Sequence, residues 1–154
     1  MFKRKKTGKI KSKVVQYNGI TFKSTLEKNV YVELVNNGFT PQYEPQSFVI
    51  WKGFSPTVNF YDKRTKKKGE KKGTHLELMN KKQKVKDITY TPDFMFEHKG
   101  YTVIVESKGF ANERFGMIKK LFRKYLENNP NYIYFMVYNV ENAKEMIKIL
   151  KNEY

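Results

Sequence analysis

The spacing of hydrophobic and polar positions changes several times along the chain, and each change marks an element. Residues 14–22 alternate around Asn18-Gly19, a dipeptide suited to a tight turn, and predict a short extended pair. Ser24 then stands three residues before Glu27, the spacing of a capping box. Leu26, Val30 and Leu34 recur every fourth position, and Gly38 supplies a stop, so a helix is expected over about 24–37. Residues 42–51 and 57–61 read as extended, and a Lys-rich stretch follows that returns through 74–79 as a long hairpin or loop. Residues 88–96 and 101–107 are rich in aromatic and β-branched side chains and predict a hairpin about the turn 97–100. Asn112 can cap a helix with Phe115, Ile118, Phe122 and Tyr125 on one face, ending before Pro130. A buried strand over 132–138 and an amphipathic helix over 141–151 complete the chain.

The order is helix, three strands, helix, strand, helix. A crossover from the third strand through a helix to the last strand calls for a mixed central sheet flanked by helices, so the fold class is α/β or α+β. The chain has 154 residues, and Leu, Ile, Val and Phe number 40 of them, enough for the core of one domain. No apolar run approaches the length of a bilayer span and the N-terminus lacks a signal-peptide block, so a soluble, cytoplasmic protein without a membrane partner is expected. Cysteine is absent and the histidines are His75 and His98, both in or near turns and expected to be exposed. Disulfide frameworks, zinc fingers, haem sites and Cys/His nucleophiles are therefore excluded.

Charge sharpens this outline. The net charge is +16, and it is concentrated in two segments. Residues 1–13 hold seven basic and no acidic side chains, among them Lys3, Arg4, Lys5 and Lys6. Residues 61–86 hold eleven basic and three acidic ones, among them Lys63, Arg64, Lys66, Lys67, Lys68, Lys71 and Lys72. The rest of the chain is nearly neutral. It reads as a basic, flexible tail over 1–13 and one domain over 14–154 with a Lys-rich insertion at about 62–86. Such cationic strips bind polyanions, because each phosphate contact releases condensed counterions; nucleic acid is the expected partner. Lys119, Lys120, Arg123 and Lys124 add a basic stripe on the helix after the hairpin, which reads equally as a phosphate contact or an ordinary solvated face.

The candidate chemistry lies in the near-neutral part. On the strand over 101–107, Glu106 and Lys108 project to one side while Val103, Val105 and Ser107 project to the other. Asp93 belongs to the preceding strand, across a short turn, within a residue or two of register with Glu106. Two carboxylates and an ammonium thus converge. Paired carboxylates suit Mg²⁺, which polarises a phosphoryl oxygen and acidifies a bound water, and a lysine can orient that water or neutralise developing charge. The structural alternatives are a turn residue at Asp93, a surface ion pair at Glu106 and Lys108, and a helix cap at Glu27.

Pro92-Asp93, twelve intervening residues, then Glu106-Ser107-Lys108 resembles the PD-(D/E)XK nuclease superfamily, whose core is ordered αβββαβ. The segments 22–27, 90–94 and 105–109 look most like small phage nucleases, including those that resolve Holliday junctions. The resemblance covers roughly residues 20–140, excluding the tail and the Lys-rich segment. It implies a restriction-endonuclease-like core and a Mg²⁺-dependent endodeoxyribonuclease, Mn²⁺ substituting, that acts on branched or duplex DNA. Asp93, Glu106 and the Ser107 backbone carbonyl would be metal ligands, Lys108 would lie near the attacking water, and Glu27 would serve a second metal or that water. It further implies a homodimer and a phage-encoded enzyme in a bacterial host. The other function class is a non-catalytic basic nucleic-acid-binding protein whose acidic residues hold only surface ion pairs.

Overall fold

The structure is a computed structural model that describes residues 13–63, 76–79, 84–109 and 113–154, with Lys63 and Glu113 described in backbone alone. Lys3, Arg4, Lys5, Lys6, Arg64, Lys66, Lys67, Lys68, Lys71, Lys72, His75 and Asn112 lie outside the described residues. The chain divides into two compact units, one of Met1–Ser47 with Thr91–Tyr154 and one of Phe48–Tyr90. The first contains β1 (Val15–Tyr17), β2 (Ile20–Phe22), α1 (Thr25–Asn36) and β3 (Gln42–Tyr43). The second contains β4 (Phe48–Trp51), β5 (Tyr61–Lys63), β6 (Leu76–Leu78) and β7 (Ile88–Tyr90). The first then resumes with β8 (Phe94–His98), β9 (Tyr101–Ser107), α2 (Glu113–Leu126), β10 (Tyr132–Val137) and α3 (Val140–Asn152).

Turn and cap chemistry accounts for most boundaries. Asn18 and Gly19 have φ of 49° and 75°, and Lys99 and Gly100 have 47° and 85°, the left-handed pairs that close two-residue hairpins. Ser24 caps α1 by accepting from Glu27 N, and Asn139 caps α3 by accepting from Asn142 N at 2.8 Å. Two expected strands are divided. Residues 42–51 become β3 and β4, and residues 88–96 become β7 and β8, each half in a different unit. The breaks fall at Glu44-Pro45, where Glu44 has φ of 46°, and at Pro92; a proline has no N–H for a sheet ladder. The second unit begins at Phe48, and most of the expected Lys-rich insertion at about 62–86 lies outside the described residues.

In the first unit a mixed sheet runs in the order β10-β9-β8-β3, with β9 and β10 parallel and the other pairs antiparallel. Val103 and Val105 pair with Phe96 and Phe94 across β8 and β9 and share a buried cluster with Val30 and Leu34 of α1 and Ala143, Met146, Ile147 and Leu150 of α3. That face of the sheet is covered by α1 and α3. Tyr134, in register with Ile104, turns the other way and meets Phe122 of α2 edge to face, with ring centroids 5.2 Å apart. One helix therefore packs on the opposite face. Each fully buried Phe, Leu or Val in this sandwich contributes on the order of 1.5–3 kcal/mol through removal of apolar surface from water.

His98 is half-buried rather than exposed: its Nε2 lies 2.9 Å from Leu150 O, and its ring stands against Phe39. The second unit is built of antiparallel pairs, β4 with β7 and β5 with β6. Among the described residues no helix is long and apolar enough to cross a membrane.

Candidate active site

The last pair of the β8/β9 hairpin, Phe94 with Val105, brings Asp93 to the C-terminal end of β9, where its carboxylate meets Ser107, the neighbour of Glu106. Pro92 is fully buried next to Asp93, and Glu44 N donates to Asp93 O at 2.9 Å, which ties the residue after β3 to the residue before β8. Lys108 N donates to Val137 O at 2.8 Å, extending the β9/β10 ladder just past Ser107.

Among the described residues, the buried polar or charged side chains are those of Glu27, Asp93, Glu106 and Ser107, at 7%, 9%, 5% and 6% exposure. The three carboxylates were singled out from the sequence as candidate site residues, and Ser107 for its backbone carbonyl alone. Their burial removes the surface ion pair as an account of Glu106, while Asp93 is both a bend residue after Pro92 and buried. Burying a carboxylate is costly unless hydrogen bonds or opposite charge compensate, so the sheet end must supply partners.

Ser107 supplies two to Asp93: its N–H donates to Oδ2 at 2.7 Å and its hydroxyl donates to the same oxygen at 2.6 Å. Asp93 Oδ1 takes no part in either bond. Burial nevertheless pushes the Asp93 carboxyl up to about 6 from 3.8; the Ser107 bonds pull it down, the Glu27 charge raises it and Lys108 lowers it. Lys108 Nζ lies 3.7 Å from Glu106 Oε1 and 4.6 Å from the centroid of the Phe115 ring. The expected neighbourhood of Glu106 and Lys108 is thus present, and Phe115 of α2 forms a wall for the ammonium.

Glu27 is both a cap and a member of the cluster. Ser24 Oγ donates to Glu27 Oε1 at 2.9 Å, while Lys23 N and the Tyr43 hydroxyl donate to Oε2 at 2.9 and 2.6 Å. Its negative charge reaches Asp93 and Lys23. Burial first, then donation to Glu27, pushes the Tyr43 hydroxyl well above its ordinary value, so Tyr43 stays a donor. Lys23 is ion-paired with Glu44, which raises its own ammonium. Tyr43, Lys23 and Glu44 were not foreseen as parts of the site. Tyr43 reads as an alternating strand residue, and only the pairing of β3 with β8 carries it to α1. The one local signal was the position of Lys23, immediately before the helix cap.

The donors are oxygens, which suits a hard divalent cation. Among the described residues no group of three or more His, Asp or Glu side chains is spaced to hold a metal ion together. Of these residues, Asp93 and Glu106 could each offer a carboxylate to such an ion. Of the basic stripe on α2, Lys120, Arg123 and Lys124 are exposed and Lys119 is half-buried.

Compared with known protein families, curated proteins and solved structures, the chain matches none.

Proposed function

We propose that the chain is a metal-dependent endodeoxyribonuclease of the PD-(D/E)XK type that hydrolyses phosphodiester bonds in branched DNA such as Holliday junctions. The observation that carries the reading is the burial of Glu27, Asp93, Glu106 and Ser107 at one end of the sheet, beside Lys108. The element order α1-β3-β8-β9-α2-β10, in a mixed sheet with helices on both faces, supports a restriction-endonuclease-like core. A binder that works by charge alone has no use for buried carboxylates held at a cost to stability, which weighs against the non-catalytic alternative.

Asp93 and Glu106, with the Ser107 carbonyl, would hold Mg²⁺ or Mn²⁺. The bound cation supplies Lewis-acid polarisation of a phosphoryl oxygen and a more acidic water. Ser107 restrains Asp93 through Oδ2, so the carboxylate keeps one orientation. Lys108, set between Glu106 and the Phe115 ring, offers its ammonium to the attacking water or to charge developing on the phosphate. Glu27, tied by Ser24, Lys23 and Tyr43, adds negative charge close to Asp93 and favours a cation there. Arg123 and its neighbours on α2, with the basic segments, would bind the phosphate backbone.

The test is cleavage of a labelled four-way junction, a flap and a linear duplex, each with Mg²⁺ and with EDTA. Mg²⁺-dependent cutting that falls by at least a hundredfold in both Asp93→Ala and Lys108→Ala, roughly the smallest effect of a lost catalytic group, is expected. Cleavage unchanged in either variant would remove the assignment.

A further inference from the structure

Exposed apolar side chains are concentrated in the second unit, and two of them form a defined structure. Beyond β4 and β7 the two chains continue as a ribbon: Phe54 and Val85 exchange backbone hydrogen bonds of 3.0 and 2.8 Å, and Gly53 N donates to Asp87 Oδ1 at 2.7 Å. A Cβ at position 53 would lie 2.1 Å from Val85 O, so glycine is required for the two backbones to approach this closely. A register shift between Val49 and Trp51 adds a local irregularity. On this ribbon Trp51 and Phe54 are 37% and 50% exposed and stand edge to face, with ring centroids 5.7 Å apart. The same ribbon carries the exposed Lys52, Lys84 and Lys86, and its Asp87 accepts from Gly53 N.

We propose that this ribbon is a binding site for unpaired nucleotides, with bases stacking on Trp51 and Phe54 while Lys52, Lys84 and Lys86 hold the phosphates. Partly exposed aromatic rings on a ribbon that also carries exposed lysines suit a ligand that is planar, apolar on its faces and anionic along its backbone. A single strand meets all three conditions, whereas a duplex keeps its base faces stacked internally. The lysines of the ribbon, Lys52, Lys84 and Lys86, select against a second copy of the same surface, since like charges would repel. The site lies outside the carboxylate cluster and its occupancy needs no cleavage. If the nuclease reading holds, the ribbon would favour DNA with unpaired bases over continuous duplex.

Trp51 is the one tryptophan of the chain, so its emission reports on the site directly. The full-length protein is titrated in EDTA with an oligothymidine, an abasic oligomer of equal phosphate number and a duplex of equal length, following Trp51 emission and the anisotropy of labelled strands. Oligothymidine should quench Trp51 and bind several-fold more tightly than the abasic strand. Phe54→Ala and Phe54→Leu should each weaken it by roughly five- to a hundredfold, the range for losing one stacked base. Phe54→Leu retains apolar bulk, so its loss is specific to the ring. Equal affinity for base-bearing and abasic strands, an unchanged Trp51 emission, or wild-type binding by a folded Phe54→Leu protein would overturn the proposal. Because EDTA suppresses metal-dependent cutting, the result is separate from the fate of the nuclease reading.

Discussion

Replacing Asp93 by Asn should stabilise the protein, and by an amount that depends on pH. Folding moves the Asp93 carboxyl from 3.8 to about 6, chiefly by burial. Below pH 3.8 the group is protonated in both folded and unfolded chains and exerts no penalty. Between 3.8 and 6 the unfolded chain releases the proton while the folded chain keeps it, so stability falls as pH rises. Above 6 the penalty is complete, and a shift of this size corresponds to about 3 kcal/mol at 1.36 kcal/mol per pKa unit. Asparagine has nearly the same shape, retains an oxygen that can accept from Ser107 N and Oγ, and cannot ionise. The variant should therefore gain up to about 3 kcal/mol at pH 8, a rise in Tm of roughly 6–12 °C for a chain of this length, and only about 0.5 kcal/mol at pH 4. Urea and thermal unfolding followed by far-UV circular dichroism at pH 4, 6 and 8, in EDTA, measure it. A variant equally stable to wild type at pH 8, or a gain of the same size at every pH, would refute the claim that an ionised, incompletely compensated carboxylate sits there. On the nuclease reading, Mg²⁺ at ten times its Kd should raise wild-type stability by about 1.4 kcal/mol and leave Asp93→Asn nearly unaffected.

Tyr43→Phe removes a donor 2.6 Å from Glu27 Oε2 while keeping the ring against Phe22 and Phe94. It should cost about 1.5–3 kcal/mol in urea unfolding at pH 8, and the loss should vanish in a Glu27→Gln background if the charge on Glu27 is what the hydroxyl serves. Leu34→Ala, at a fully buried position in the cluster shared by α1 and α3, should cost about 2–5 kcal/mol and lower the urea midpoint without changing the slope. Arg123→Gln and Lys120→Gln, both exposed on α2, should leave stability within about 0.5 kcal/mol. Each that contacts a phosphate should also reduce the slope of log affinity against log salt for duplex DNA by about 0.9, read by anisotropy at several salt concentrations.

The sequence by itself determined what depends on neighbours along the chain. The capping box at Ser24 and Glu27, the turns at Asn18-Gly19 and Lys99-Gly100, and the helical spacing of Val30, Leu34, Phe115 and Phe122 are local patterns, so α1, α3 and the first hairpin were legible within a residue or two, as were β9 and the existence of α2. The pairing of Glu106 with Lys108 followed from the same period-two geometry. Tertiary structure decided the rest. Pro45 and Pro92 mark the breaks within residues 42–51 and 88–96, but the assignment of their halves to two units depends on which strand each half meets. Burial of Glu27, Asp93 and Glu106 is likewise a property of the assembled sheet and helices, as are the clamp of Ser107 on Asp93 and the tie from Tyr43 to Glu27. A motif names which carboxylates are present, whereas their desolvation, and with it the raised Asp93 carboxyl, arises only when residues far apart in the chain close over them and exclude water.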